Sequence, residues 1–289
     1  MLDQAQKLRN LVNKKSDFDR NPETVPRLIT VTSGKGGVGK SNFVVNLSIA
    51  LVHMGKRVLI LDADVGMGND DVLMGFCPKY NLYDIIFNNK EIEEVIITAP
   101  CGVKLLPAGT GINKLDELTE KQREFFVSKL SKIKDVDFII MDTGAGINRS
   151  VLGFIACCEE LIIITTPEPT ALTDAYSLMK AVRHFRIKSS AQIVVNKSVD
   201  SNEGLATFNK FDYAVSKFLK SPLQYLGSIS DDKKVITSVK NQEPFLIGFP
   251  NCSASKDVKN IASKLVGTSV EDKRVGIDGL FKKIFNIFS

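Results

Sequence analysis

The chain has 289 residues, 44% hydrophobic and 25% charged, close to the average for a soluble globular protein and long enough for one α/β domain with a large core. A formal charge of +5, from 38 basic and 33 acidic residues, gives nucleic-acid binding no support by itself. The five cysteines (Cys77, Cys101, Cys157, Cys158 and Cys252) are odd in number, lack C-x-x-C spacing and join no Cys/His cluster, so they read as reduced, mostly buried thiols with neither a disulfide framework nor a zinc site.

Residues 1–15 place Leu2, Ala5, Leu8, Leu11 and Val12 at helical spacings, a short amphipathic helix that either packs on the domain surface or docks on a partner protein. The start is polar with no apolar h-region, so no signal peptide is expected. Residues 16–27, with Pro22 and Pro26, read as a linker. Leu28–Thr32 is a short β-branched run that reads as a buried strand. It breaks into Gly34-Lys35-Gly36-Gly37-Val38-Gly39-Lys40-Ser41-Asn42, where a helix pattern opens. Strand, glycine loop ending in G-K-S, then helix is the nucleotide P-loop. Glycines let backbone N–H groups crowd a phosphate, and the helix N-terminus adds a positive dipole end. Lys40 is placed for the β- and γ-phosphates and Ser41 for Mg²⁺. Lys35 is a second lysine on this loop: the two either share one triphosphate, or Lys40 serves its own nucleotide while Lys35 reaches outward.

Downstream, a helix over Phe43–Met54 ends at Gly55, and Arg57–Asp62 is a second strand running into Asp62-Ala-Asp64-Val-Gly66-Met-Gly-Asn69. Carboxylates at the carboxyl end of a strand beside a P-loop are placed to act on Mg²⁺ and on a water. Residues 70–102 mix helix and loop; Val103–Pro107 is a strand and Thr119–Ile133 a helix with Thr119 as N-cap. Val136–Asp142 is an apolar strand ending in a carboxylate, the Walker B pattern, and Thr143-Gly144-Ala-Gly146 after it suits a mobile loop. Strands at Glu160–Thr166, Ala191–Asn196 and Leu223–Gly227 alternate with helices at Thr170–Arg186, Gly204–Leu219, from Ser230 to before Pro244, and Ser253–Leu265. The fold class is therefore a doubly wound, mainly parallel α/β sheet with helices on both faces. Asn196, followed by Lys197, either reads an adenine edge or simply forms a turn. After a polar stretch at 267–276, Ile277, Leu280, Phe281, Ile284, Phe285 and Phe288 form one helical face, with Lys282 and Lys283 off it. That pattern resembles an interfacial membrane helix; docking on the core is the alternative.

Over about residues 28–266 these motifs resemble the MinD/ParA branch of P-loop ATPases, on the two-lysine loop, Asp62-x-Asp64-x-Gly66-x-x-Asn69 and Asp142-Thr-Gly-Ala-Gly146. The C-terminal helix resembles the MinD side. Asp3-Gln4-Ala5-Gln-Lys-Leu8-Arg9 is similar to the DQAxxLR motif of the FlhG (YlxH/FleN) family of flagellar number regulators, in which it stimulates the GTPase FlhF. The resemblance implies a Mg²⁺-dependent ATPase that dimerises with ATP. It implies that Lys35 crosses to the partner's ATP, that the backbone from Gly34 to Asn42 with Lys40 and Ser41 holds phosphate, and that Ser41, Asp62 and Asp142 serve Mg²⁺. Asp64 would position or activate the attacking water, and Asn196 with Lys197 would face the base. Asn42 stands where many relatives carry a second Thr or Ser. Implied partners are a second copy, FlhF, flagellar switch or C-ring proteins or a flagellar transcription regulator, and an anionic membrane surface. The implied address is cytoplasmic, peripheral on the inner membrane face, with the cell pole left open. The alternatives are a MinD-type division-site protein and a ParA-type ATPase that positions DNA or cargo. An iron–sulfur carrier needs paired interface cysteines, and the spacing here supplies no obvious set.

Overall fold

Alternation along the strands decides which helices cover which face of the sheet. In the computed structural model, which describes residues 25–64, 70–107, 119–130, 132–267, 279–280 and 282–284, the chain runs β1 (Arg27–Ser33), α1 (Lys40–His53), β2 (Val58–Ala63), α2 (Asp70–Leu73), α3 (Leu82–Phe87), α4 (Ile92–Val95), β3 (Ile97–Thr98) and β4 (Lys104–Pro107). It continues through α5 (Glu120–Leu130), β5 (Phe138–Ala145), α6 (Arg149–Cys157), β6 (Glu160–Thr165), α7 (Pro169–His184), β7 (Ala191–Ser198), α8 (Ser201–Leu219), β8 (Leu223–Ser230), α9 (Lys233–Asn241), α10 (Phe245–Gly248) and α11 (Ser253–Gly267). Among the described residues the sheet has eight strands in the order β3-β4-β2-β5-β1-β6-β7-β8. Every pairing is parallel except the short edge strand β3, which runs antiparallel to β4. The doubly wound sheet read from the sequence is the one observed.

Successive side chains on a strand point to opposite faces. Leu28, Leu61, Ile139, Met141, Ile163 and Ile193 therefore join one core, packed against residues of α6, α7 and α8 such as Ile155, Leu178 and Phe211. Ile29, Val31, Ile60, Ile140, Ile162 and Val194 join the other, packed on Phe43 and Leu47 of α1 and Val258 and Ile261 of α11. Central strands buried on both faces explain the near-continuous apolar runs in the sequence.

Several boundaries move. Arg27 belongs to β1 rather than to a linker, and it is buried. Its guanidinium donates from Nε and Nη2 to the two carboxylate oxygens of Glu160, each at 2.8 Å, and from Nη1 to the Leu265 carbonyl at 2.7 Å. One side chain thus ties β1 to β6 and to the last turn of α11. Arg27→Ala leaves the Glu160 carboxylate without its guanidinium, and the expected cost is about 3–5 kcal/mol in urea unfolding. A loss below about 1 kcal/mol, the range of an exposed pair, would show that the clamp is not a buried one.

The cysteines are free, but only Cys157 and Cys158 are buried; Cys252 is half-buried, and Cys77 and Cys101 are exposed. "Mostly buried" is therefore corrected: the last two lie in short connections outside the helical and strand faces that fill the core.

Part of the C-terminal amphipathic face rests against the domain, the alternative that the sequence left open. Leu280 is 0% exposed and Ile284 1% exposed, both within the core cluster that holds α6 and α7. Lys283 stands half-buried beside Cys157 and Lys188, and burial lowers the pKa of its ammonium. The described part of this segment is docked on the domain, because residues at a spacing of four fall on one helical face and find apolar cover there. Lys282 is exposed. Ile277, Phe281, Phe285 and Phe288 lie outside the described residues, as do residues 1–24 with Asp3, Gln4, Ala5, Leu8 and Arg9. Among the described residues no helix is long and apolar enough to cross a membrane.

Candidate active site

Strand register assembles the acidic half of the site. Asp62 on β2 and Asp142 on β5 are direct partners across the parallel ladder. Both share the parity of Ile60 and Ile140, so their side chains fall on the α1 face, under the P-loop. Neighbouring strands are about 4.8 Å apart, so two carboxylates in register repel unless a cation stands between them. Lys40, at the first turn of α1, supplies it: its Nζ lies 2.5 Å from Asp142 Oδ1, with the lysine 8% exposed and Asp142 buried. The other oxygen, Asp142 Oδ2, is buried and accepts from no N–H or hydroxyl, and the buried Asp70 carboxyl is hydrogen-bonded to Asp142. Asp62 Oδ1 accepts the Asp64 N–H at 3.1 Å.

Burial first, then the charge of Asp142, pushes the Asp62 carboxyl up to about 7. The folded chain therefore holds a proton that the unfolded chain, at an ordinary 3.8, releases. Stability from this group is full below about 4 and lost as pH rises through about 7. The melting temperature of the nucleotide-free protein is expected to fall between pH 5 and 8, with a shallower fall in Asp62→Asn; identical slopes in the two proteins would contradict the raised carboxyl.

The loop between β1 and α1 is shaped for close approach. A Cβ on Gly34 would lie 2.2 Å from the Asp174 backbone carbon of α7, so only glycine fits there. Gly39 has φ +91°, and a Cβ there would meet Asn196 Nδ2 at 2.2 Å. The Asn196 amide donates to the Val38 carbonyl at 2.7 Å, and its Oδ1 accepts the Lys197 N–H at 2.9 Å. Lys197 Nζ donates to the Gly37 carbonyl at 3.0 Å. Asn196 and Lys197 thus strap the P-loop from the end of β7, a role the sequence did not show. The next acidic residue, Asp200, caps α8 by accepting the Glu203 N–H at 2.8 Å.

Beside the strap lies a cavity of about 530 Å³, within the usual size for a small-molecule site. It is lined by Gly39, Asn42, Asn196 and Lys197 together with Asp231 and Ile236. The last two come from the β8–α9 connection and α9, whose contribution sequence spacing does not show. Ser41 is half-buried in the first turn of α1.

The remaining predicted residues fall around this centre. Asp64 is close to the end of β5: a Cβ on Gly144 would meet its Oδ1 at 3.2 Å. Gly66 and Asn69 lie outside the described residues. Lys35 stands apart from the cradle. Its exposed Nζ is 3.0 Å from Glu168 Oε2 and 3.0 Å from Thr170 Oγ1, at the start of α7. Its hydrogen bond, and then its charge, hold the Glu168 carboxyl below the ordinary range. Glu168 was not predicted, since between two prolines it reads as a turn. Asp70 was also missed, and it lies buried next to Asp142 and Asp62.

The AAA domain family model (AAA_31) matches residues 26–196. The chain is 37% identical over 240 residues to the antiactivator FleN of Pseudomonas aeruginosa, covering 83% of this chain and 86% of FleN. The chain belongs to the MinD/ParA family of P-loop ATPases. This MinD-like ATPase is also 32% identical over 293 residues to the flagellum site-determining protein YlxH of Helicobacter pylori, covering 98% of each chain. Its fold is that of MinD from the Aquifex aeolicus MinC:MinD complex, with a TM-score of 0.67 and 24% identity over 86% of this chain and 99% of that one. MinD of Pyrococcus horikoshii, solved with Mg-ADP, gives a TM-score of 0.65 at 23% identity, over 85% of this chain and all of that one.

The residues present fit a nucleotide with its Mg²⁺. The buried Asp142 carboxylate, the glycine cradle and Ser41 at the helix start are the donor set of such a site. Ser41, with Asp142 and Asp62 through the water shell, would hold the cation. When bound, Mg²⁺ neutralises charge between the β- and γ-phosphates.

Proposed function

We propose that this MinD-like ATPase is an ATP-driven switch of the FleN/YlxH kind, controlling flagellar number and placement by acting on the SRP-type GTPase FlhF. The observation that carries the reading is the division of labour between the two P-loop lysines. Lys40 is inside, on Asp142, and Lys35 is outside, on Glu168. With ATP bound, Lys40 turns from Asp142 to the phosphates. Lys35 leaves Glu168 and crosses to the triphosphate of a second copy, offsetting the repulsion of two facing nucleotides. Asp64 orients the attacking water, and the strap from Asn196 and Lys197 keeps the loop in register with the base cavity. Hydrolysis removes the charge that Lys35 answers, and the dimer parts. Residues 1–15 carry the FlhF-directed motif, with Asp3, Gln4, Ala5, Leu8 and Arg9. The names of the relatives support the flagellar role, FleN as an antiactivator and YlxH as a flagellum site-determining protein.

Membrane attachment through residues 277–289 fits the same cycle. One weak anchor binds marginally, and two on a dimer gain by effective concentration. Because Leu280 and Ile284 are docked on the core, attachment requires their release. Co-sedimentation of the full chain with anionic vesicles is expected with a non-hydrolysable ATP analogue and not with ADP. Phe281→Glu with Phe285→Glu should abolish it. Equal pelleting in both nucleotides would exclude the switch, and equal pelleting of the double variant would exclude this helix as the anchor.

A further inference from the structure

Seven lysines and arginines and one carboxylate, Asp212, lie in residues 178–189 and 208–220, a surplus of six where the whole chain has five. These are the C-terminal halves of α7 and α8 and the residues just after each. Because β6, β7 and β8 are parallel, both crossover helices run back from the nucleotide end and finish together at the opposite end of the sheet. Arg183 Nε donates to the Leu219 carbonyl at 3.3 Å and joins the two helix ends. Cations here offset helix dipoles, and Arg183 and Lys188 do so on the Leu219 and Cys158 carbonyls. Lys180, Arg186, Lys210 and Lys220 are exposed, and none has a carboxylate partner among the described residues. Lys210, Tyr213, Lys217 and Lys220 recur at three and four residues, which makes one outward stripe of α8 and its C-cap. Tyr213 is 63% exposed and Phe218, beside the stripe, 66%. Lys217 Nζ donates to the Tyr213 hydroxyl at 2.9 Å and stands 5.0 Å and 5.5 Å from the centres of the Tyr213 and Phe218 rings. Rings this open add little to the core, and aromatic rings among cations are the composition that suits a water–lipid boundary.

We propose that this end of α7 and α8 is the domain's own contact with an anionic lipid surface, acting together with the helix at residues 277–289. The inference rests on the membrane attachment proposed above. Continuity supports it: the docked C-terminal segment sets Lys283 beside Lys188, at the edge of the same face. One amphipathic anchor holds a membrane marginally, and a basic patch beside it is the second signal that makes attachment stable. Each lysine or arginine close to an anionic surface raises partitioning about fivefold. The nucleotide end stays free, since Lys35 meets α7 at its other terminus.

The chain has no tryptophan, so Phe218→Trp is a single reporter on this face. With a non-hydrolysable ATP analogue, its emission should shift to the blue on adding phosphatidylglycerol vesicles and stay fixed on adding phosphatidylcholine vesicles. Co-sedimentation with no blue shift would overturn the proposal. Lys180→Gln combined with Lys210→Gln and Lys217→Gln should weaken vesicle binding by about tenfold or more and flatten its salt dependence. Melting temperature and ATP-dependent dimerisation should stay native, since all three side chains are exposed. Native vesicle affinity in this triple variant would overturn the proposal as well. Phe281→Glu with Phe285→Glu separates the two readings. If that variant loses the vesicles and the triple variant does not, the anchor stands and the face fails. If the native chain binds no vesicles in either nucleotide, both fail. A basic face also suits nucleic acid. Duplex DNA binding that the triple variant loses while it keeps the vesicles would assign the face to DNA and overturn the lipid contact.

Discussion

Asp64→Ala is expected to bind ATP as the native chain does and to release phosphate about 10²–10⁴-fold more slowly. The split follows from where the carboxylate stands. In the proposed cycle phosphate is held by the loop from Gly34 to Ser41 and by Lys40, whose ammonium is bonded to Asp142 and not to Asp64. Asp64 instead reaches Gly144 at the tip of β5, just beyond Asp142. In the proposed cycle a carboxylate there orients the attacking water and does not itself hold phosphate. Its backbone N–H bonds to Asp62 Oδ1, and alanine keeps that bond. Removing the side chain therefore costs rate and not affinity, and ATP held without turnover should leave the dimer persistent. Single-turnover phosphate release measures it, and a native rate would remove Asp64 from the water's path.

Lys35→Ala should remove ATP-dependent dimerisation while leaving folding and nucleotide affinity intact. In the single chain, among the described residues, the Lys35 ammonium holds Glu168 and Thr170, both at an exposed surface, where an ion pair adds little to stability. Lys35→Ala and wild type should thus melt together without nucleotide. Facing triphosphates, however, bring a large negative charge together, and that repulsion stands unanswered without the second lysine. Turnover is expected to fall with the dimer. Glu168→Gln provides the complementary case: it frees Lys35 and should favour the dimer if the pair acts as a latch. A Lys35→Ala chain that dimerises with ATP would exclude the trans role.

The parts of the fold that are continuous in sequence were legible in sequence. Leu28–Thr32, Arg57–Asp62 and Val136–Asp142 read as buried strands because both of their faces are covered, and the G-K-S loop declared its own chemistry. The Asp62–Asp142 juxtaposition is a matter of register between two strands 80 residues apart in sequence, which spacing along the chain does not give. The edge strand β3 has two residues, too few for any periodicity. Asp70 sits on a single helical turn, so nothing in the pattern says which of Asp70 and Asp71 turns inward. The strap from Lys197 to Gly37 spans 160 residues and depends on a φ of +57° at Lys197, a conformation its sequence does not announce. The C-terminal face was legible as apolar, but an apolar face fits a core as well as a lipid surface. The burial of Leu280 and Ile284 settles only where it rests in this state.

Nucleotide-controlled dimerisation is the point on which the proposed switch turns, and the mass of the full chain in solution tests it most directly. Light scattering behind size-exclusion chromatography is expected to give the monomer mass of 31.8 kDa with Mg²⁺ and ADP, and twice that with Mg²⁺ and a non-hydrolysable ATP analogue. The same mass in both nucleotides would contradict the switch.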